Sequence, residues 1–280
     1  MVYLVTMDQM DMPWVAVDEG CRDAISELAG DITIDYRWDA PTDGKNDVGQ
    51  MEIINNAVAN GADLILMASN GPDTQVATIQ EAADKGVKFI YVDSPANFDA
   101  YQILATDNVA AGTTAGNAMM EALKAEGIES GDIGVVNVNP ATASTMMREN
   151  GFRAAFEGTD YNVLESQYGE GQVAMSQEIA VNLITQGVVG IFGTNEGGTT
   201  GVGNAIAESS RKVIGVGFDK SDAILEHIRS GNLLCTMAQN PYVMGYEGIK
   251  SAAKVLKGEA LDAAVLDTGV SVIDAATVDN

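Results

Sequence analysis

Residues 64–92 read LILMASNGPDTQVATIQEAADKGVKFIYV. The stretch holds an apolar run from Leu64 to Ala68, a polar turn, an amphipathic segment from Gln75 to Lys85 closed by Gly86, and a second apolar run from Phe89 to Val92. Short apolar runs bounded by turn residues fit strands. A glycine directly after a periodic segment fits a helix stop, because glycine enters the left-handed region easily. Strand, helix and strand in this order make a βαβ unit, the building block of a parallel sheet.

The same rhythm continues in both directions. It predicts strands at Val2 to Met7, Ile32 to Tyr36, Gln102 to Thr106, Gly134 to Val138, Tyr161 to Gln167, Gly190 to Gly193, Val213 to Gly217 and Leu233 to Met237. Helices are predicted at Pro13 to Leu28, Val48 to Asn60, Ala110 to Ala125, Thr145 to Phe156, Ala174 to Gln186, Thr200 to Glu208, Lys220 to Ser230 and Tyr242 to Lys257, with Asn60-Gly61 as a further stop. Five strand-helix units precede about Asp107 and roughly five follow it, which predicts two similar open sheets. The predicted fold class is α/β, with two doubly wound, Rossmann-like parallel-sheet domains.

Open sheets of this kind bind ligands beyond the carboxyl ends of their strands. The residues there are polar: Asp8 to Trp14, Ala68 to Asp73, Asp93 to Asn97, Thr106 to Asn108, Asn139 to Arg148, Asn195-Glu196, Phe218-Asp219 and Gln239-Asn240. Nucleophile and base pairs are scarce among them. Carboxylates and amides are plentiful, and such groups hydrogen-bond hydroxyls.

Composition narrows the classes further. The chain has 280 residues, 46% hydrophobic and 20% charged, which suits a sizeable core rather than disorder. Forty acidic residues against fifteen basic ones give a net charge of −25, which repels nucleic acid phosphates. Cys21 and Cys235 lie far apart without metal-ligand spacing and read as small buried apolar residues, with a disulfide left open. The single histidine, His227, sits on an amphipathic segment in a structural role, so a histidine metal site or a Ser-His-Asp triad has little to be built from. Gly197, Gly198, Gly201 and Gly203 lack the lysine of a phosphate loop and the order of a dinucleotide site, and fit helix packing better. No apolar run is long enough to span a bilayer. The first strand starts directly after Met1, so the protein is either cytosolic or secreted by a signal outside this sequence.

The post-strand loops resemble those of the ribose-binding branch of the type I periplasmic sugar-binding proteins that serve ABC transporters. The resemblance rests on Trp14, Val92-Asp93, Ala105-Thr106-Asp107-Asn108 with Gly112, Arg148-Glu149 with Gly151-Phe152, Thr194-Asn195-Glu196, Val216-Gly217-Phe218-Asp219, Ala238-Gln239 and Val255-Leu256-Lys257-Gly258-Glu259. Each is weak alone. Their order runs over essentially the full length.

The resemblance implies a monosaccharide or polyol site formed by Asp11, Trp14, Asp93, Arg148, Asn195, Phe218, Asp219 and Gln239, with no catalytic residue, metal or cofactor. Asp93 and Asp219 would accept from sugar hydroxyls, Arg148 would donate, and Asn195 and Gln239 would do either. Trp14 fits either a stacking platform for a sugar's C–H face or a core residue opening the first helix. Phe218 has the same two readings, with the family pattern favouring the pocket wall. Taken alone, Asp93 could equally be a helix N-cap or turn residue. Asp107 and Asn108 fit the chain crossing rather than the ligand.

Departures from the family pattern matter. Ser94-Pro95 stands where ribose proteins carry an arginine, Pro13-Trp14 replaces an aromatic pair, Gly171 beside Gln172 replaces an aromatic, and Asp11 replaces an amide. These changes argue for a neutral sugar or polyol shaped differently from ribose. Domains of 1–107 plus 240–268 and 108–239 plus 269–280 are expected, joined by a three-stranded hinge near Asp107, Gln239 and Thr268. The resemblance also implies an extracytoplasmic monomer, in the periplasm or as a cell-surface lipoprotein, with an ABC permease or chemosensory receptor as partner. Two other binding functions fit the same fold, a sensor of a furanosyl autoinducer and the effector core of a lactose-repressor-type regulator. The latter needs a helix-turn-helix, and none precedes Val2.

Overall fold

The computed structural model of the protein describes residues 1–9, 12–42, 46–140 and 142–279. These form two compact units. The first comprises Met1–Thr106 and Asn240–Thr268, and the second comprises Asp107–Gln239 and the chain from Gly269 onward.

The first unit carries a six-stranded sheet built from β1 (Val2–Val5), β2 (Tyr36–Asp39), β3 (Leu64–Met67), β4 (Lys88–Val92), β5 (Ile103–Ala105) and β12 (Val265–Asp267). Their order is β12-β5-β4-β3-β1-β2, and every pairing is parallel. The central strands β1 and β3 are buried along their whole length, as expected when helices cover both faces of a parallel sheet. On one face, α1 (Met12–Leu28) and α9 (Pro241–Lys257) enclose Leu4, Leu66, Ile90 and Val92. On the other, α2 (Asp47–Ala59) and α3 (Val76–Asp84) cover Val5, Ile65, Met67 and Phe89. Gly61 and Gly86 follow α2 and α3 with φ of 84° and 93°, the left-handed stops expected from sequence.

The second unit repeats this plan. Its sheet contains β6 (Gly131–Asn137), β7 (Tyr161–Val163), β8 (Gln167–Tyr168), β9 (Gly190–Gly193), β10 (Ile214–Phe218), β11 (Cys235–Gln239) and β13 (Val270–Asp274). The order is β13-β11-β10-β9-β6-β7, with β8 also on β6, and β13 alone runs antiparallel. One face carries α4 (Asn108–Ala125) and α5 (Ala143–Ala155). The other carries α6 (Val173–Gln186), α7 (Glu196–Glu208) and α8 (Asp222–Arg229). This is the doubly wound α/β class the alternating pattern predicts.

Each unit contains a helix crossing in which two glycines meet opposing carbonyl oxygens. In the first, a Cβ on Gly20 would lie 2.1 Å from the Tyr242 carbonyl oxygen, and one on Gly245 would lie 1.9 Å from that of Val17. In the second, a Cβ on Gly151 would meet the Val109 oxygen at 1.9 Å, and one on Gly112 the Arg148 oxygen at 1.9 Å. The two pairs share one spacing: each glycine lies three residues after the carbonyl that receives the opposite glycine. Only hydrogen at these α-carbons lets the helix backbones touch.

Several local expectations shift. The strand expected at Ile32 to Tyr36 forms at Tyr36–Asp39, because pairing of Val2 with Tyr36 through Val5 with Asp39 fixes the register. The run expected from Tyr161 to Gln167 is split into β7 and β8. Helix α7 begins at Glu196 rather than Thr200. Its glycines are poor helix formers, yet a Cβ on Gly197 would come within 1.9 Å of the Gly171 oxygen. These glycines thus serve packing. The edge strands β12 and β13 fall outside the predicted strands; they are short, and although Leu266, Val270 and Ile273 pack against the cores, neither strand has a fully buried residue. Cys21 and Cys235 are buried free thiols, one in each unit.

Candidate functional site

Strand β10 ends at Phe218, and the next residue, Asp219, turns the chain with φ of 71° while its N–H donates to the Met237 carbonyl at 2.9 Å. Left-handed conformations cost a non-glycine residue energy, so such a turn marks a position held by its surroundings. The Asp219 carboxylate accepts from the Glu196 N–H at 3.0 Å and from Gln239 Nε2 at 3.0 Å. Arg148 Nη1 lies 3.7 Å from its Oδ2.

Arg148 projects from α5 and is 5% exposed. Its Nε donates to Asn108 Oδ1 at 2.8 Å and its Nη1 to the Thr194 carbonyl at 2.9 Å. The guanidinium carbon stands 3.7 Å from the centroid of the Phe218 ring. A guanidinium over an aromatic face is favourable, more so when both are shielded from water. The result is a shielded cation beside an anion, set at the carboxyl ends of parallel strands.

A second polar layer supports this arrangement. Thr194 Oγ1 donates to Asn137 Oδ1 at 2.9 Å, and Asn137 Nδ2 donates to Glu149 Oε2 at 2.6 Å. Glu149 also accepts from Arg153 Nε at 2.7 Å and Ser166 Oγ at 2.5 Å. Burial acts to raise the Glu149 carboxyl, but the bonds from Ser166, Arg153 and Asn137 outweigh it and hold the group below its ordinary value.

Asn195 caps α7: its Oδ1 accepts from the Gly198 N–H at 3.0 Å. Its oxygen is thereby engaged, and Nδ2 is the group suited to donate. Phe218 is fully buried beneath Arg148, so it supports the guanidinium instead of forming an exposed wall.

In the first unit, Asp93 follows β4 as Asp219 follows β10. Its φ is 62°, and its N–H donates to the Leu104 carbonyl at 2.8 Å. The Ser94 hydroxyl donates to Asp93 Oδ2 at 2.6 Å. No helix begins there, which removes the N-cap reading and leaves a strained turn. Trp14 is 7% exposed and packs in the core with Val17, Val92 and Met244, so most of its ring has the structural role. Asp11 lies outside the described residues.

Sequence reasoning missed a buried amide cluster in this unit. Gln50 Nε2 donates to the Thr6 and Ala68 carbonyls at 2.8 and 2.7 Å, and its Oε1 accepts from the Asn70 N–H and from Gln75 Nε2. Ser69 Oγ donates to Gln75 Oε1 at 2.6 Å. These bonds fix the loops after β1 and β3. Glutamine on a helix is usually exposed, and nothing in the sequence pattern marks these two as interior.

His227 is held between Asn204 Oδ1, 3.0 Å from Nε2, and Asn232 Nδ2, 3.3 Å from Nδ1. Among the described residues, no group of three or more His, Cys, Asp or Glu side chains is placed to hold a metal ion.

These features sit in a chain with clear relatives. The ribose import binding protein RbsB of Haemophilus influenzae is 26% identical over 266 residues, covering 93% of this chain and 87% of that protein. A carbohydrate transporter solute binding protein from Agrobacterium radiobacter, solved with D-arabinose, is 31% identical. It superposes with a TM-score of 0.80 over 100% of this chain and 95% of its own. AraP, an arabinose binding protein from Geobacillus stearothermophilus, gives a TM-score of 0.88 at 25% identity, covering 99% of this chain and 97% of that one. The family model for the periplasmic binding protein domain matches residues 2–260, and the chain belongs to that family.

Proposed function

We propose that the protein captures a monosaccharide or related polyol between its two units, outside the cytoplasm, and delivers it to an ABC transporter without chemical change. The observation that carries this reading is the set around Asp219. A carboxylate held by Glu196 N–H and Gln239 stands 3.7 Å from a shielded guanidinium. A sugar hydroxyl both donates and accepts, so it can bond Asp219 and Arg148 at once, and ionised partners make the stronger bonds.

Asn195 and Gln239 add amide donors, and Asp93 supplies the acceptor from the first unit. By the resemblance, Asp11 and Trp14 belong to the same binding set, the first as an acceptor and the second as an apolar contact. Ligand that bonds both units favours a closed form over an open one, because only differential affinity shifts such an equilibrium. The chain passes between the units after Thr106, Gln239 and Thr268, and these crossings act as the hinge. The closed monomer is then the form the permease recognises. The relatives' ligands support a sugar, since the H. influenzae protein is named for ribose import and the A. radiobacter structure holds D-arabinose.

A thermal-shift screen over pentoses, hexoses, deoxy sugars and polyols tests the proposal. A ligand at about 100 times its Kd should raise the melting temperature by roughly 5–10 °C. Recovery of the sugar unchanged after incubation is expected, and turnover would contradict a pure binding role. Failure of every sugar and polyol to shift melting would contradict the ligand class.

A further inference from the structure

Asn108 is the first residue of α4, but it does not cap the helix; Asp107 does, accepting from the Ala110 N–H at 2.9 Å. The Asn108 side chain instead reaches across to α5, where Oδ1 accepts from Arg148 Nε at 2.8 Å. Helix geometry explains the reach. Gly112 lies one turn after Asn108 on the same face of α4, and it rests against the backbone oxygen of Arg148 itself. The glycine contact brings the helices together, and Asn108 then meets the arginine side chain.

The first unit provides an internal comparison. Its crossing of α1 and α9 has the same pair of glycine contacts, with Gly245 against the Val17 oxygen where the second unit has Gly112 against that of Arg148. Counting back four residues from Gly245, as Asn108 stands from Gly112, gives Pro241. Proline and valine have no side-chain hydrogen bond to exchange. Tyr242 and Tyr246 of α9 donate to Asp23 and Glu27 of α1 elsewhere along that crossing, but the positions equivalent to Asn108 and Arg148 hold no polar pair. The glycine contact itself therefore does not require one, and the Asn108–Arg148 bond is found in the second unit, beside the Asp219 cluster. An amide also suits the task better than a carboxylate, since it orients the guanidinium without neutralising it.

We infer that Asn108 is a positioning residue for ligand binding, which fixes the Arg148 guanidinium in its donating orientation before the ligand arrives. The inference rests on the proposed role of Arg148 in holding a sugar. Because Asn108 stands two residues after Thr106, at the first of the proposed hinge crossings, the same bond would tie the orientation of Arg148 to the segment that turns on closure.

Two measurements test it. Without sugar, the Arg148 Nε–H resonance, identified by its loss in Arg148→Lys, should exchange slowly in the unaltered protein. It should exchange rapidly in Asn108→Ala and recover in Asn108→Asp, which keeps the acceptor. In calorimetry with D-ribose, D-allose and D-arabinose, the tightest of the three should bind about tenfold or more weakly to Asn108→Ala. The same change should have no further effect in the Arg148→Lys background. An exchange rate unaltered by Asn108→Ala, or an equal affinity loss in both backgrounds, overturns the assignment. If none of the three sugars binds the unaltered protein, these three are not its ligand, and the exchange signal alone decides the role of Asn108.

Discussion

Arg148 stands over Phe218, its guanidinium carbon 3.7 Å from the ring centroid, while the ring itself is fully buried. The aromatic residue thus reaches a ligand only through the cation it supports. Replacing Phe218 by Leu keeps an apolar side chain but removes the π face. We expect sugar affinity to fall roughly 2- to 30-fold, the range of a shielded cation–π contact. Titration calorimetry of Phe218→Leu reads this directly, and an unchanged affinity would show that Arg148 needs no support from the ring.

The glycine crossings set stability. Gly112→Ala or Gly20→Ala puts a methyl group 1.9 or 2.1 Å from a backbone oxygen on the opposite helix. Both helices must separate, and destabilisation of at least about 1–3 kcal/mol is expected. Gly30 has no atom within 4 Å of its would-be Cβ and serves as the control. Denaturant unfolding should place Gly30→Ala near or slightly above the unaltered protein and both crossing variants well below it.

Burial lowers the His227 pKa below its ordinary value of 6.5, against the opposing pull of Glu226. The unfolded chain therefore takes up the proton more readily than the folded one, so stability rises with pH across this window. The contribution is fully present above 6.5 and is lost as pH falls from there toward the folded-state value. Unfolding free energies at pH 7.5 and at pH 5.5 should differ more for the unaltered protein than for His227→Gln. An equal difference in both would show that His227 does not carry the effect.

Burial also pushes the thiols of Cys21 and Cys235 up to about 12. Thiolate is the reactive form, so neither should react with a thiol reagent at pH 8 while the protein is folded. Two equivalents should react after denaturation. Prompt labelling of the native protein would contradict the buried, reduced state.

The repeating βαβ plan was readable from sequence because short, fully buried strands such as Leu64–Met67 and Gly190–Gly193 alternate with longer amphipathic helices. The edge strands β12 and β13 were not, since they are short and none of their residues is fully buried. At the site, Asp93 and Asp219 were recognisable as residues just after strands. Their left-handed backbone and matching bonds to Leu104 and Met237 are properties of the neighbouring strands, which lie many residues away. The same holds for the Gln50–Gln75 pair and for Asn108, whose partners are tertiary and have no local signature.

The most direct test of capture by both units is a crystal structure with the tightest-binding monosaccharide. We expect Asp93 of the first unit and Asp219 of the second each to accept, at about 3 Å, from hydroxyls of one sugar molecule. A sugar held by side chains of a single unit, with the other aspartate facing solvent, would contradict it.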